Sequence, residues 1–128
     1  MTVKVLIVED EESILLSLEF LLSKEGYEVA CARDGAAALR ILEQQIPHMV
    51  LLDVMLPLVD GFELCRWMRT NPALANTRIM LLTARGRDSE VAHGLGLGAD
   101  AFLTKPFSTR ELMDTVRSLV ARSGALHR

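Results

Sequence analysis

Aromatic side chains are scarce in this chain: one Trp, one Tyr and four Phe make up 5% of the sequence. A surface that interleaves aromatics with bases, as single-stranded nucleic acid requires, is therefore not expected. Only two cysteines occur, Cys31 and Cys65, and they form no CxxC pair. That argues against a zinc site and a disulfide framework, and leaves two small, buried apolar side chains in a reducing compartment. Long apolar runs are missing as well. The first stops at Val8 and meets Glu9, Asp10, Glu11 and Glu12, so the start does not read as a secretory signal. No segment approaches the roughly 20 apolar residues of a membrane span. What is present is the size of one ordinary domain: 128 residues, 50% hydrophobic and 24% charged, enough to bury a core. The expectation is a soluble, cytoplasmic protein without a membrane partner.

The net charge of −3 conceals an asymmetry, because residues 1–63 carry −8 and residues 64–128 carry +5. An acidic first half suits a cation site and argues against direct nucleic-acid binding by this domain. The arginines of the second half are spaced out, as on solvated helix faces.

Five short apolar runs punctuate the chain: Val3–Val8, Tyr27–Ala32, Met49–Leu52, Ile79–Leu82 and Ala101–Leu103. Segments of helical periodicity lie between them. Ile14, Leu18, Leu21 and Leu22 form a stripe that Gly26 stops, and Asp34 caps a second helix bearing Leu39 and Leu42. A third helix runs from about Phe62 to Arg69 and closes at Asn71-Pro72; a short fourth lies near Ser89–Leu95. Ser108 and Glu111 stand in capping-box spacing before Leu112, Val116, Leu119 and Val120. Strand–helix alternation with strands apolar throughout predicts an α/β fold: a doubly wound, five-stranded parallel sheet of order 2-1-3-4-5, covered by helices on both faces. Trp67 and Tyr27 read as packing residues, and His93 as a surface or packing residue on a short helix.

Ligands of such sheets bind beyond the carboxyl ends of the strands. There the sequence ends the first strand in Glu9 and Asp10, the third in Asp53, the fourth in Thr83 and the fifth in Lys105. Three carboxylates so close repel one another unless a cation joins them, and a hard divalent ion such as Mg2+ is the simplest partner. Thr83 and Lys105 are donors suited to phosphoryl oxygens. Asp53 is the candidate nucleophile, since a carboxylate can form an aspartyl-phosphate. Each residue alone has a plainer reading as a turn or cap residue. Complementary chemistry at four separate strand ends outweighs it.

The stretches ValLeuIleValGluAspGlu, LeuLeuAspValMetLeuPro with Asp60-Gly61, LeuLeuThrAla, and GlyAlaAspAlaPheLeuThrLysProPhe together resemble the receiver domain of two-component response regulators, chemotaxis regulators included. The resemblance covers essentially the whole chain. It implies a (βα)5, flavodoxin-like three-layer sandwich, with residues 1–122 as the receiver and 123–128 as a tail or the start of a linker to an output domain. It implies Asp53 as phosphoacceptor, Asp10 as a direct Mg2+ ligand, Glu9 as a ligand through water, and the Met55 backbone carbonyl as a further ligand. Thr83 and Lys105 match the phosphate-binding pair and Phe102 the aromatic switch residue. Pro57 and Gly61 match the loop that shapes the site, and Lys105-Pro106 matches a peptide bond that is cis in the family. A cis X-Pro bond costs only about 0.5–1 kcal/mol, and its tight turn would aim the ammonium inward. The implied donor is a sensor histidine kinase or a histidine phosphotransfer protein within a phosphorelay.

Three departures from the family's pattern stand out. Phe102 stands where many relatives have Tyr. Met55 and Arg85, two residues beyond Asp53 and Thr83, flank the route of an attacking water and point to a slowly hydrolysed phosphate. Ala101 and Thr115 occupy places where relatives that dimerise through the fourth helix, fifth strand and fifth helix carry salt-bridging charges. The competing enzyme reading, a haloacid-dehalogenase-like phosphatase, needs a second Asp two residues after the first, where this chain has Met55. A flavodoxin-like nucleotide binder needs a phosphate loop after the first strand, where this chain has acids.

Overall fold

The computed structural model describes residues 2–84 and 88–122. Strands β1 (Lys4–Val8), β2 (Glu28–Ala32), β3 (Met49–Asp53), β4 (Arg78–Thr83) and β5 (Ala101–Thr104) alternate with helices α1 (Glu12–Lys24), α2 (Gly35–Gln44), α3 (Gly61–Thr70), α4 (Asp88–Gly96) and α5 (Thr109–Arg122). A single 3-10 turn, Pro72–Leu74, follows α3. The sheet is parallel throughout, in the order β2-β1-β3-β4-β5.

The period-two alternation of each strand divides the core between two faces. Val5, Ile7, Leu51, Met80 and Leu82 pack with Leu15, Leu18 and Leu22 of α1 and with Leu112, Val116 and Leu119 of α5. Leu6, Val8, Val50, Leu52, Ile79 and Leu81 pack with Ala38 and Leu42 of α2 and with Leu64, Cys65 and Met68 of α3. Burial of each large side chain contributes about 1.5–3 kcal/mol. Both faces are covered, which is why the central strands show no polar alternation.

Local chemistry starts the helices where the side chains allow it. Asp34 Oδ1 accepts from the Ala37 N–H (2.8 Å), Asp60 Oδ1 from Phe62 (2.7 Å) and Ser108 Oγ from Glu111 (3.0 Å). After α1 the chain turns through Gly26 at φ 97°, a conformation only glycine adopts freely.

Several boundaries differ from those read off the apolar runs. β3 ends in Asp53 and β4 in Thr83, one residue past their apolar runs and as the strand-end reading has them, because the ladder pairs Asp53 with Leu82 and Thr83 with Thr104. The two polar residues are thus the last rungs of their strands. β1 begins at Lys4, which is half-buried, and β2 at Glu28, which is exposed on the edge strand, each one residue inside its apolar run. Trp67 is 37% exposed, contrary to its reading as a packing residue, because Leu64, Cys65 and Met68 take the buried face of α3. Tyr27 is half-buried against the α1 side of the core. Cys65 is buried and Cys31 half-buried. Burial pushes both thiols up, Cys31 to about 11 with Glu19 adding to the effect.

The opposite edge of the sheet from the strand carboxyl ends holds an ion network. Asp100 accepts from Arg69 Nη2 (2.9 Å), from Arg78 Nη1 (3.2 Å) and from the Ile79 N–H (2.9 Å). Arg69 also donates to the carbonyls of Gly98 (2.8 Å), Leu74 (3.0 Å) and Thr77 (2.7 Å). One guanidinium so ties the end of α3 to the 3-10 turn and to the chain entering β5. Arg85 and residues 123–128 lie outside the described residues.

Candidate functional site

The carboxyl ends of β1, β3, β4 and β5 converge as the parallel order requires. Glu9 is fully buried, Asp53 is 3% exposed and Thr83 1% exposed, while Asp10 faces solvent. One carboxylate oxygen from each of Glu9, Asp10 and Asp53 lies within 4.8 Å of the others. Lys105 Nζ sits 2.7 Å from Glu9 Oε1 and 3.4 Å from Asp53 Oδ2. The Lys105 N–H donates to the Thr83 carbonyl (2.6 Å), which joins two strand ends, and the Lys105–Pro106 bond is cis.

Asp53 is held by its own loop. Its Oδ1 accepts from the Met55 N–H (3.0 Å), and the Val54 N–H donates to the Leu82 carbonyl (2.9 Å). The chain returns at Gly61, whose N–H donates to the Val54 carbonyl (3.1 Å). A Cβ on Gly61 would press into the Asp53 carbonyl and lie 2.5 Å from the Val54 Cα, so the close return requires glycine there. Pro57 is exposed within this loop, and its carbonyl accepts from the Val59 N–H (2.8 Å).

Phe102 is half-buried on β5, packed with the α3 side of the core. A Cβ on Gly94 of α4 would lie 2.6 Å from Leu81 and 3.2 Å from the Phe102 ring, so the helix sits directly on the ring. His93 is exposed and meets Phe62 edge-on, with ring centroids 4.8 Å apart. Beside the site, a cavity of about 560 Å3 runs between α1 and the segment after β5, lined by Ile14, Leu18, Leu21, Lys105 and Phe107 among others.

The electrostatics follow from crowding. Burial raises the Glu9 carboxyl to about 7; hydrogen bonds from Lys105 and the Glu11 N–H oppose the rise, and the Asp53 charge adds to it. Burial also works against the Lys105 ammonium, but Glu9 and Asp53 outweigh it and hold its pKa above the ordinary value. The strand-end reading brought Lys105 to the three acids but left open that Glu9 is its nearest partner. The two residues stand 96 positions apart, and no local pattern links them.

Because the folded state keeps the Glu9 proton to a higher pH than the unfolded chain, the associated stability is fully present below about 4.5 and is lost as pH rises through about 7. With chelator present, urea unfolding should show stability falling between pH 5 and 8. Glu9→Gln should flatten that fall; an equally steep profile in the variant would place the titration elsewhere.

Three oxygen-bearing acids against one ammonium suit a hard divalent cation. A strand-end carboxylate with a hydroxyl and an ammonium at neighbouring strand ends suits phosphoryl chemistry. The response regulator receiver domain model matches residues 5–117. The alkaline phosphatase synthesis transcriptional regulatory protein PhoP of Bacillus subtilis is 42% identical over 123 residues, covering 96% of this chain and 50% of that protein. The phosphate regulon transcriptional regulatory protein PhoB of Rhizobium meliloti is 43% identical over 120 residues, covering 94% and 53% respectively. The chain thus spans about half the length of these relatives. Among solved structures, the receiver domain of sensor histidine kinase PA1611 from Pseudomonas aeruginosa, with a magnesium ion coordinated in its active-site cleft, superposes with a TM-score of 0.85 at 29% identity, covering 94% of this chain and 99% of that one. With its sheet order, its acidic strand-end cleft and this match over most of its length, the chain belongs to the response regulator receiver domain family.

Proposed function

We propose that Asp53 is the residue on which this phosphorylation-activated switch accepts its phosphoryl group. The observation that carries the assignment is the placement of Asp53. It is a nearly buried carboxylate at a strand end, with one oxygen held by the Met55 N–H and the other 3.4 Å from an ammonium. A carboxylate oxygen attacks the phosphorus of a phosphohistidine, the P–O bond forms as the P–N bond breaks, and the electron pair leaves on the imidazole nitrogen. Lys105 neutralises charge gathering on the phosphoryl oxygens.

Glu9, Asp10 and Asp53 present hard oxygen donors close together and undercompensated in charge, which fits Mg2+. Asp10 and Asp53 would hold it directly, Glu9 through water, and Met55 through its backbone carbonyl. When bound, the ion supplies positive charge to the phosphoryl oxygens. The donor in this reading is a sensor histidine kinase or a histidine phosphotransfer protein in the cytoplasm. Residues 1–122 act as the receiver, and 123–128 as a tail or the start of a linker to an output domain. The phosphate hydrolyses slowly, with Met55 shielding its approach. Thr115 Oγ1 donates within its own helix to the Glu111 carbonyl (2.9 Å), and with Ala101 it leaves the α4-β5-α5 surface without those two dimer-bridging charges. Among the described residues no helix is long and apolar enough to cross a membrane. The phosphatase alternative lacks its second Asp.

Phosphorylation reaches the surface through Thr83 and Phe102. The new dianion draws the Thr83 hydroxyl, and Phe102 moves into the space it leaves, biasing α4, β5 and α5. Incubation with acetyl phosphate and Mg2+ should add one phosphoryl mass to the chain, and omission of the cation should prevent it. Absence of the adduct in both conditions rejects the reading. Thr83→Ala should still gain the phosphoryl mass, yet show much smaller amide-shift changes around Phe102 and α4. The contact it loses is of the order of 1.5–3 kcal/mol, enough to leave most phosphorylated molecules unswitched. A full response in that variant would move the coupling to Lys105.

A further inference from the structure

The loop between β3 and α3 turns apolar side chains in both directions. Val54 is buried, and Leu56 and Val59 pack on the α2–α3 side of the core. Met55, Pro57 and Leu58 point out, with Met55 66% and Leu58 84% exposed. Leu58 also has φ 73°, making it the only non-glycine residue with positive φ among the described residues. That region is disfavoured for a residue with a Cβ and suits glycine or asparagine. Neither the backbone nor the core gains from leucine at this position. Its contribution therefore lies outside the folded chain.

The place of Leu58 identifies the partner. It stands five residues after Asp53, on the loop that rises from the acceptor itself. Asp53 is only 3% exposed, so a protein delivering a phosphoryl group must bring its surface down onto this rim. At the end of β1 and the start of α1 the exposed rim residues are acids, Asp10, Glu11 and Glu12, whereas the β3–α3 loop offers the exposed apolar tips of Met55 and Leu58. We propose that Leu58, with Met55 beside it, is an apolar contact knob for the phosphohistidine-bearing donor protein, seating in an apolar depression next to that histidine and orienting it over Asp53. This rests on Asp53 being the acceptor, and the test separates the two claims.

Leu58→Asn satisfies the backbone and removes the knob, so it should melt at or above the wild-type temperature. Two donors are compared: phosphoramidate, which has no protein surface, and the purified autophosphorylated sensor kinase that transfers fastest to wild type among a set of such kinases. The variant should accept phosphate from phosphoramidate within twofold of wild type, while transfer from the kinase falls about tenfold or more, as expected for one lost buried leucine contact. Leu58→Met, which keeps an apolar tip, should recover most of the kinase rate. Kinase transfer to Leu58→Asn within twofold of wild type overturns the proposal. So does an equal loss with both donors, since Leu58 would then act on the site itself. Phosphoramidate labelling of wild type with transfer from none of the kinases also overturns the donor contact while leaving Asp53 as acceptor. No labelling of wild type by either donor removes the acceptor assignment and the knob with it.

Discussion

Asp53→Asn gains no phosphoryl mass from acetyl phosphate and Mg2+ under conditions that label the wild type fully. The amide keeps the size and one carbonyl oxygen of the original side chain, so the acceptor bond to the Met55 N–H can survive and the fold is preserved. What disappears is the nucleophile, because an amide does not attack phosphorus at a useful rate. The neighbouring acids are poor substitutes. Both oxygens of Glu9 are engaged, one by Lys105 at 2.7 Å and the other by the Glu11 N–H at 3.1 Å, and the residue is fully buried. Asp10 faces solvent at the rim, whereas Asp53 is nearly buried and shares the Lys105 ammonium with Glu9. The expected loss is at least a hundredfold in labelling rate, read by intact mass against time. A normal adduct on the variant would move the acceptor to another residue, which fragmentation mass spectrometry would then locate.

Asp100→Ala lowers stability by about 3 kcal/mol, seen as a fall of roughly 10 °C in melting temperature. The carboxylate is 11% exposed and takes hydrogen bonds from two guanidinium groups and one backbone N–H. Removing it strands the Ile79 N–H and takes from Arg69 and Arg78, which are 19% and 27% exposed, and from the more exposed Arg122 their shared counter-charge. Like charges brought together at that depth cost more than a surface pair contributes. Asp100→Asn, which keeps one acceptor oxygen but not the charge, should fall between wild type and the alanine variant. The comparison is made by thermal unfolding in low salt and again in 0.5 M salt, where part of the repulsion is screened. A change below about 2 °C for the alanine variant would mean that the backbone contacts of Arg69 alone hold this edge together.

These two residues differ in how far they could be read in advance. Asp53 follows a run of apolar residues, and its neighbours at the other strand ends are chemically complementary, so alternation and the strand-end rule for parallel sheets bring it to notice. Asp100 has no such signature. Its partner Arg69 is 31 positions away at the end of a helix, where a base reads as a solvated, dipole-favoured residue. Hydrophobic periodicity reports which face of an element is inward; it carries no information about which charges meet across elements. For Lys105 the strand-end rule supplied the place, beside the three acids, but not that Glu9 is its nearest partner. The strand ends at Asp53 and Thr83 were legible, whereas β1 stops at Val8, short of Glu9 and Asp10, and β5 at Thr104, short of Lys105. The positive φ of Leu58 was equally invisible, since leucine marks a core position far more often than a left-handed turn. Trp67 was misplaced because α3 has three smaller apolar residues, Leu64, Cys65 and Met68, that fill the buried stripe and leave the indole at its margin.

The two sulfhydryls described with the core have a practical bearing on watching this protein work. Maleimide chemistry consumes thiolate, and a thiol raised to about 11, as at Cys31, leaves roughly one thiolate in a few thousand near pH 7.5. Cys65 is raised too and is wholly enclosed. A cysteine introduced at Leu95, 46% exposed on α4, would by contrast titrate and collide freely. Such a variant should take a fluorophore or spin label at one position in minutes at low stoichiometry, with Cys31 and Cys65 left in place. The helix nearest Phe102 can then be followed in real time without first engineering a cysteine-free background.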